Sequence, residues 1–133
     1  MTPLAHRDRP CPCGGPRLAT CCGRYLHGGV SAPDAEALMR SRYTAFVLDD
    51  REHLLATWHP STRPAQLDPP EPGFKWLGLE VRAHRPAGDG EATVEFVARS
   101  KLGGRAHRSH ELSRFVCESG RWYYVNGQFP DAV

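Results

Sequence analysis

No run in this chain is long and apolar enough to cross a bilayer as a helix, so a helical membrane protein is not expected. The first ten residues lack the apolar core of a secretory leader; Met1 to Pro10 is polar and broken by proline. Without export, the expected compartment is the reducing cytoplasm, where stable disulfides do not accumulate. A strong excess of either charge is also missing. The formal net charge is +2, which makes no global case for a nucleic-acid binder. Internal repeats are absent, so a stacked-repeat architecture is not expected. Most telling, the first twenty-odd residues contain almost no apolar material with which to fold on their own.

What that segment does contain is cysteine. Cys11, Cys13, Cys21 and Cys22 lie together, spaced C-x-C, seven residues, C-C. Two close pairs joined by a glycine-rich turn can bring four sulfurs around one point. Thiolates crowded there repel unless a cation sits between them, and Zn²⁺ accepts four sulfurs in a tetrahedron. The competing reading is a disulfide. Adjacent Cys21 and Cys22 would form a strained bridge, whereas cross-pairing with Cys11 or Cys13 is sterically open. His27 is an alternative ligand or a simple loop residue. Cys117, far from the cluster in a strand-like run, reads as a small buried hydrophobe.

The spacing resembles the SEC-C motif, a short zinc-binding module whose usual form is C-x-C-G-S-G, a few residues, then C-C or C-H and Gly. Cys11, Cys13, Gly14, Cys21, Cys22 and Gly23 match it. Two departures stand out: the intervening loop has seven residues where eight is usual, and Gly15-Pro16 replaces Ser-Gly. In the bacterial preprotein translocase motor this motif docks partners, so the resemblance implies a protein partner for the knuckle. A balance of +3 over residues 1–30, against −1 for the rest, leaves an RNA partner as another reading. No aromatic residue lies among those arginines before Tyr25 to stack on bases, which argues against it.

The remaining chain, 40% hydrophobic and 24% charged overall, has the composition of a globular domain. The organisation expected is a knuckle and linker over 1–30, then one domain over 31–133. Ser31-Ala32-Pro33-Asp34 is a helix-start signal, with Ser31 as cap. Leu38, Met39, Tyr43, Phe46 and Val47 make an apolar stripe, so a helix is predicted to about Leu48. Asp49-Asp50 ends that helix and caps a second over 51–59, with Leu54, Leu55 and Trp58 buried. Pro60 stops it. A proline-rich loop follows to Gly73. The period then changes to two, predicting strands over Trp76–Arg82, Ala92–Arg99, 107–117 and 121–126, broken by turn chemistry at 87–90, Gly103-Gly104 and Ser119-Gly120. Short connections imply an antiparallel meander, with the two helices covering one face.

This order suggests an α+β fold, a curved four-stranded sheet wrapped around helices. That is the cone of the nuclear-transport-factor-2-like fold. Four stretches, residues 35–43, 57–64, 110–115 and 120–127, resemble the YchJ-like family, bacterial proteins in which a SEC-C motif precedes such a cone. The resemblance spans about residues 10 to 128 and implies no particular reaction.

Chemistry concentrates in Trp58-His59-Pro60-Ser61-Thr62-Arg63. Expected near the mouth or wall of a cone pocket, it supplies hydrogen-bonding groups and a guanidinium suited to carboxylate or phosphate. If Arg40 and Arg42 on the helix converge with Arg63, the pocket takes a small anionic ligand. The bland alternative is that these side chains only satisfy backbone groups. His110-Glu111 is the second candidate, a carboxylate able to act as a base if it faces an apolar cavity. Trp76, Trp122 and Tyr124 read as sheet packing. Three functions follow: a zinc-binding adaptor that docks a partner and takes a small ligand, a small isomerase or hydrolase using Glu111 or His59, or an RNA-associated protein. The first is favoured, because four protein sulfurs leave a metal no open position for substrate. A homodimer through the outer sheet face is compatible with the fold.

Overall fold

The computed structural model describes residues 9–27 and 29–130. The polar, proline-broken stretch Met1–Pro10, read above as lacking a secretory leader, therefore lies largely outside the described residues, as does Arg7 of the basic cluster. A single turn, α1 (Gly23–Leu26), follows the cysteines, and two helices, α2 (Ala35–Leu48) and α3 (Arg51–Ala56), precede the sheet. Four strands complete the chain: β1 (Lys75–Pro86), β2 (Glu91–Leu102), β3 (Arg105–Glu118) and β4 (Arg121–Gln128). They pair antiparallel in the order β1-β2-β3-β4, the expected meander.

Helix α2 begins one turn chemistry later than Ser31 suggests. Asp34 is the cap, its carboxylate accepting from Ala37 N at 2.8 Å. Pro33 lies just before it. At the far end Asp49 adopts a left-handed conformation, and Asp50 caps α3 by accepting from His53 N at 3.1 Å. Both acidic residues thus take the roles read for them. Helix α3 stops at Ala56, short of the expected 59. Beyond it the backbone turns extended and borders β4, with His59 N donating to Tyr124 O and Tyr124 N to Thr57 O. Trp58 forms a parallel bridge to Tyr124.

The apolar stripe is wider than its spacing implies. Leu38, Met39 and Tyr43 are buried as expected, but Ser41, Arg42 and Thr44 are buried as well, while Phe46 is exposed. The reason is that α2 is covered on several sides, by α1 and α3 as well as by β1, β2 and β4. The core is continuous across the knuckle: Cys11, Cys13, Leu18 and Cys22 belong to the same buried cluster as Leu38, Met39, Val94 and Phe115.

Two irregularities in β1, between Trp76 and Gly78 and between Val81 and Ala83, shift its register. The first breaks the alternation, so Leu77 is exposed while Trp76 joins Leu79 and Val81 against the core. Cys117, expected to be buried, is only half-buried.

Candidate metal centre and cone pocket

The cysteine loop is shaped by its own backbone. Gly14 N donates to Cys11 O and Cys11 N to Gly15 O, closing a tight turn. Gly14 sits at φ 107°, a conformation glycine adopts without strain. Gly15 is needed for room, because a Cβ there would lie 2.6 Å from the Cys21 sulfur. Leu18 O then receives both Cys21 N and Gly23 N, folding the second cysteine pair back toward the first.

The result is a cluster of four thiol sulfurs, all within 4.8 Å of one another. Cys11 Sγ is 3.6 Å from Cys13 Sγ, and Cys13 Sγ is 3.5 Å from Cys21 Sγ. All are free thiols rather than disulfides. These residues together can hold a metal ion, and His27 is not among them. Their protonation is mutually dependent. Hydrogen bonds from Cys13 and Cys22 push the Cys11 thiol well down, while hydrogen bonds to Cys11 and Cys13 push Cys22 well up. Burial and then Cys13 push Cys21 up to about 11. A crowd of sulfurs this close favours one thiolate at the expense of the others unless positive charge is added.

Helix α2 supports the cluster from behind. Thr44, fully buried, places its hydroxyl 3.6 Å from Cys11 Sγ. Arg40 donates to Cys13 O at 3.1 Å and pairs with Glu36 at 2.9 Å. Arg40 therefore serves the knuckle and does not reach toward Arg42 and Arg63 as the anion-site reading requires.

On the opposite side of α2 lies a cavity of about 200 Å³ between that helix and the inner face of the sheet. Arg42, Trp58 and Glu111 line it, three of the residues singled out from sequence. Arg42 is almost wholly buried. Its Nη1 donates to Leu54 O at 2.8 Å and to Thr57 Oγ1 at 2.7 Å. The guanidinium lies between two rings, 4.9 Å from Trp58 and 4.6 Å from Tyr124. Burial pulls its pKa down to about 10. Glu111 Oε2 accepts from Ser113 Oγ at 2.5 Å and from Tyr124 OH at 3.4 Å. Burial, then Glu111, pushes the Tyr124 phenol up to about 12. Gly127 makes room for that carboxylate, since a Cβ there would collide with Glu111.

The other sequence candidates lie elsewhere. Arg63 is exposed and donates to Trp58 O. Thr62 Oγ1 donates to Val125 O at 2.6 Å. The His59 Nδ1 accepts from Ser61 N and meets Ser61 Oγ at 2.7 Å, which leaves Nε2 to donate to Glu118 at 2.9 Å. His110 alternates away from Glu111 and meets Glu95 at 2.7 Å on the outer face. Strand alternation causes that split: Glu111 pairs with inward Phe96, His110 with Val97.

Several cavity residues escaped the sequence reading. Trp76 and Tyr124 line the pocket rather than serving only as sheet packing, and Tyr43, Ser109 and Ser113 join them. Parity with Glu111 along β3 carried a signal for Ser109 and Ser113. Thr44 had none, because its role depends on a knuckle distant in sequence.

A family model described as the YchJ middle NTF2-like domain matches residues 34–127. A UPF0225 protein of Methylibium petroleiphilum is 64% identical, covering 100% of this chain and 98% of that protein. Another, of Bordetella bronchiseptica, is 59% identical over 92% of this chain and 96% of its own length. Among solved structures, the solution structure of a SEC-C motif containing protein from Rhodopseudomonas palustris aligns with a TM-score of 0.80 at 35% identity, covering 91% of this chain and 98% of that one. The crystal structure of a SEC-C motif containing protein from Psychrobacter arcticus aligns at 0.78 and 31% identity, over 97% and 87%.

Proposed function

The chain belongs to the YchJ-like family, and on that premise we propose that it is a zinc-stabilised binding protein. In this reading Cys11, Cys13, Cys21 and Cys22 hold a structural Zn²⁺, the outer face of the knuckle docks a protein partner, and the cone pocket receives a small ligand. One observation carries it: four free thiols gathered within 4.8 Å. A tetrahedral ion with sulfurs at about 2.3 Å sets those sulfurs about 3.8 Å apart. The separations of 3.5 and 3.6 Å are close to that value. Bound zinc would supply the positive charge that lets all four sulfurs ionise, and with four protein ligands it would have no position for substrate.

Support for a docking role comes from polarity and exposure. The buried side of the knuckle packs on α2, while Arg9, Arg17 and Arg24 stand on its exposed side. An acidic protein surface complements that face.

Elemental analysis of purified protein tests the metal. One zinc per chain is expected, falling to none when Cys21 and Cys22 are both changed to Ser. Full zinc occupancy in that double variant would end the proposal.

A further inference from the structure

The wall of the cone pocket carries groups that lack the partners their chemistry calls for. The Trp58 indole N–H is buried with no acceptor among the described residues. Arg42 commits Nη1 to Leu54 and Thr57, and its Nε and Nη2 meet no acceptor among the described residues. Its guanidinium lies 4.9 Å from the Trp58 ring, so these unmatched donors are neighbours. Glu111 is the counterpart. It accepts through Oε2 alone, leaving Oε1 without a donor among the described residues. Among the described residues only the Trp58 N–H is fully buried without a partner, where an unmatched polar group is costly, while Arg42 and Glu111 line the cavity itself. The rest of the lining is apolar, with Tyr43, Phe46, Trp76 and Phe96 prominent.

A ligand that matches this wall brings an acceptor to Arg42 and Trp58 and a donor to Glu111. A simple acid could pair with Arg42 but would meet repulsion from Glu111 and leave it without a donor, and a simple amine could pair with Glu111 but would meet repulsion from Arg42 and leave its donors without an acceptor. A neutral hydrocarbon would leave every unmatched group as it is. Size narrows the class further. A dry cavity of about 150 Å³ takes benzene, so about 200 Å³ suits one ring or branched chain with a short polar end. A nucleotide or larger cofactor would extend well beyond that volume.

We infer that the cone pocket binds a small zwitterion with an apolar body, the class of an apolar α-amino acid. The carboxylate sits against Arg42 and the Trp58 N–H, the ammonium against Glu111, and the side chain against Trp76 and Phe96. The inference rests on the ligand-binding reading above and specifies its occupant.

The test is a titration of ¹⁵N-labelled full-length protein followed by the indole N–H signals. The Trp58 signal is identified as the one missing in Trp58→Phe. The probes are phenylalanine, phenylacetate, 2-phenylethylamine and benzyl alcohol. Phenylalanine should move the Trp58 N–H signal downfield in a saturable way, with phenylacetate and phenylethylamine at least about ten-fold weaker, the loss expected for one charge-assisted hydrogen bond. Trp58→Phe keeps a ring but removes the donor, and should weaken phenylalanine about five-fold. Glu111→Gln should weaken phenylalanine about ten-fold or more while leaving phenylacetate unchanged or tighter. Phenylacetate binding as well as phenylalanine, or phenylalanine indifferent to Glu111→Gln, would overturn the zwitterion while the ligand-binding reading survives. Should none of the four probes move a pocket signal at about 10 mM, a range that reports even millimolar affinity, both would fall, and the metal reading would stand apart.

Discussion

The hydroxyl of Thr44 lies 3.6 Å from the sulfur of Cys11, so the long helix of the cone reaches directly into the cysteine cluster. Thr44 is fully buried there and also bears on Cys22. A hydroxyl donating to a thiolate lowers the charge the metal must neutralise and orients the sulfur. Helix and knuckle are therefore chemically joined as well as packed.

Thr44→Val keeps the shape and removes the donor. Metal affinity should fall about 10- to 100-fold, the usual loss for a group that orients a ligand from behind. Competition against a chromophoric chelator measures it. An unchanged affinity would reduce Thr44 to packing.

The shared core predicts that loosening the knuckle destabilises the whole body. Leu18 is 2% exposed and belongs to the cluster that includes Leu38 and Phe115. Leu18→Ala should cost about 2–5 kcal/mol. A single cooperative melt, shifted down by several degrees, is the expected calorimetric result. Two separate transitions, with the cone unaffected, would show that the knuckle folds alone.

His53 gives the fold an acid sensitivity. Burial lowers its pKa from 6.5 to about 4, with Arg42 contributing in the same sense and Asp50 opposing. Ser41 Oγ–H donates to Leu38 O, so the contact at 3.0 Å between Ser41 Oγ and His53 Nε2 has the ring donating. Because the folded state resists protonation, the unfolded chain binds more protons between these values. Stability is then full above about pH 6.5 and declines as pH falls toward 4, by roughly 1–3 kcal/mol. Denaturant melts of wild type and His53→Gln across that window should differ in slope, the variant being the flatter. Parallel curves would remove His53 as the cause.

Gly127 sits beneath the Glu111 carboxylate, opposite Ser113 in the β3–β4 pairing. Gly127→Ala should swing Glu111 out of place and break its bonds to Ser113 and Tyr124, at about 1–3 kcal/mol. Folded protein with a displaced Tyr124 ring signal and a ligand-dead pocket is expected. An unperturbed Tyr124 would mean that Glu111 adapts freely.

Much of this architecture was legible beforehand. Helix α2 runs to Leu48 as its stripe required, Asp49 and Asp50 divide it from α3, and the four strands break at the glycine turns. Local chemistry governs each of these features. The errors lie where distant contacts overrule local preference. Ser41 lies outside the stripe of Leu38, Met39, Tyr43, Phe46 and Val47 yet is fully buried, because the knuckle and α3 do not figure in a helical wheel. A period of two over Trp76–Arg82 gives no sign of the bulge that turns Leu77 outward. Arg40, Arg42 and Arg63 looked like one anion site and instead serve the knuckle, the cavity and a loop carbonyl.

Cysteine identity and spacing were enough to announce a four-sulfur centre, since two short covalent tethers leave the thiols little freedom to be elsewhere. The alternation of the strands was enough to announce the sheet. What no reading along the chain could supply was which side of each element faces the cavity, and that the knuckle and the cone share one core. Those facts depend on side chains far apart in sequence excluding water together, and one residue of register decides whether Glu111 or its neighbour His110 points inward.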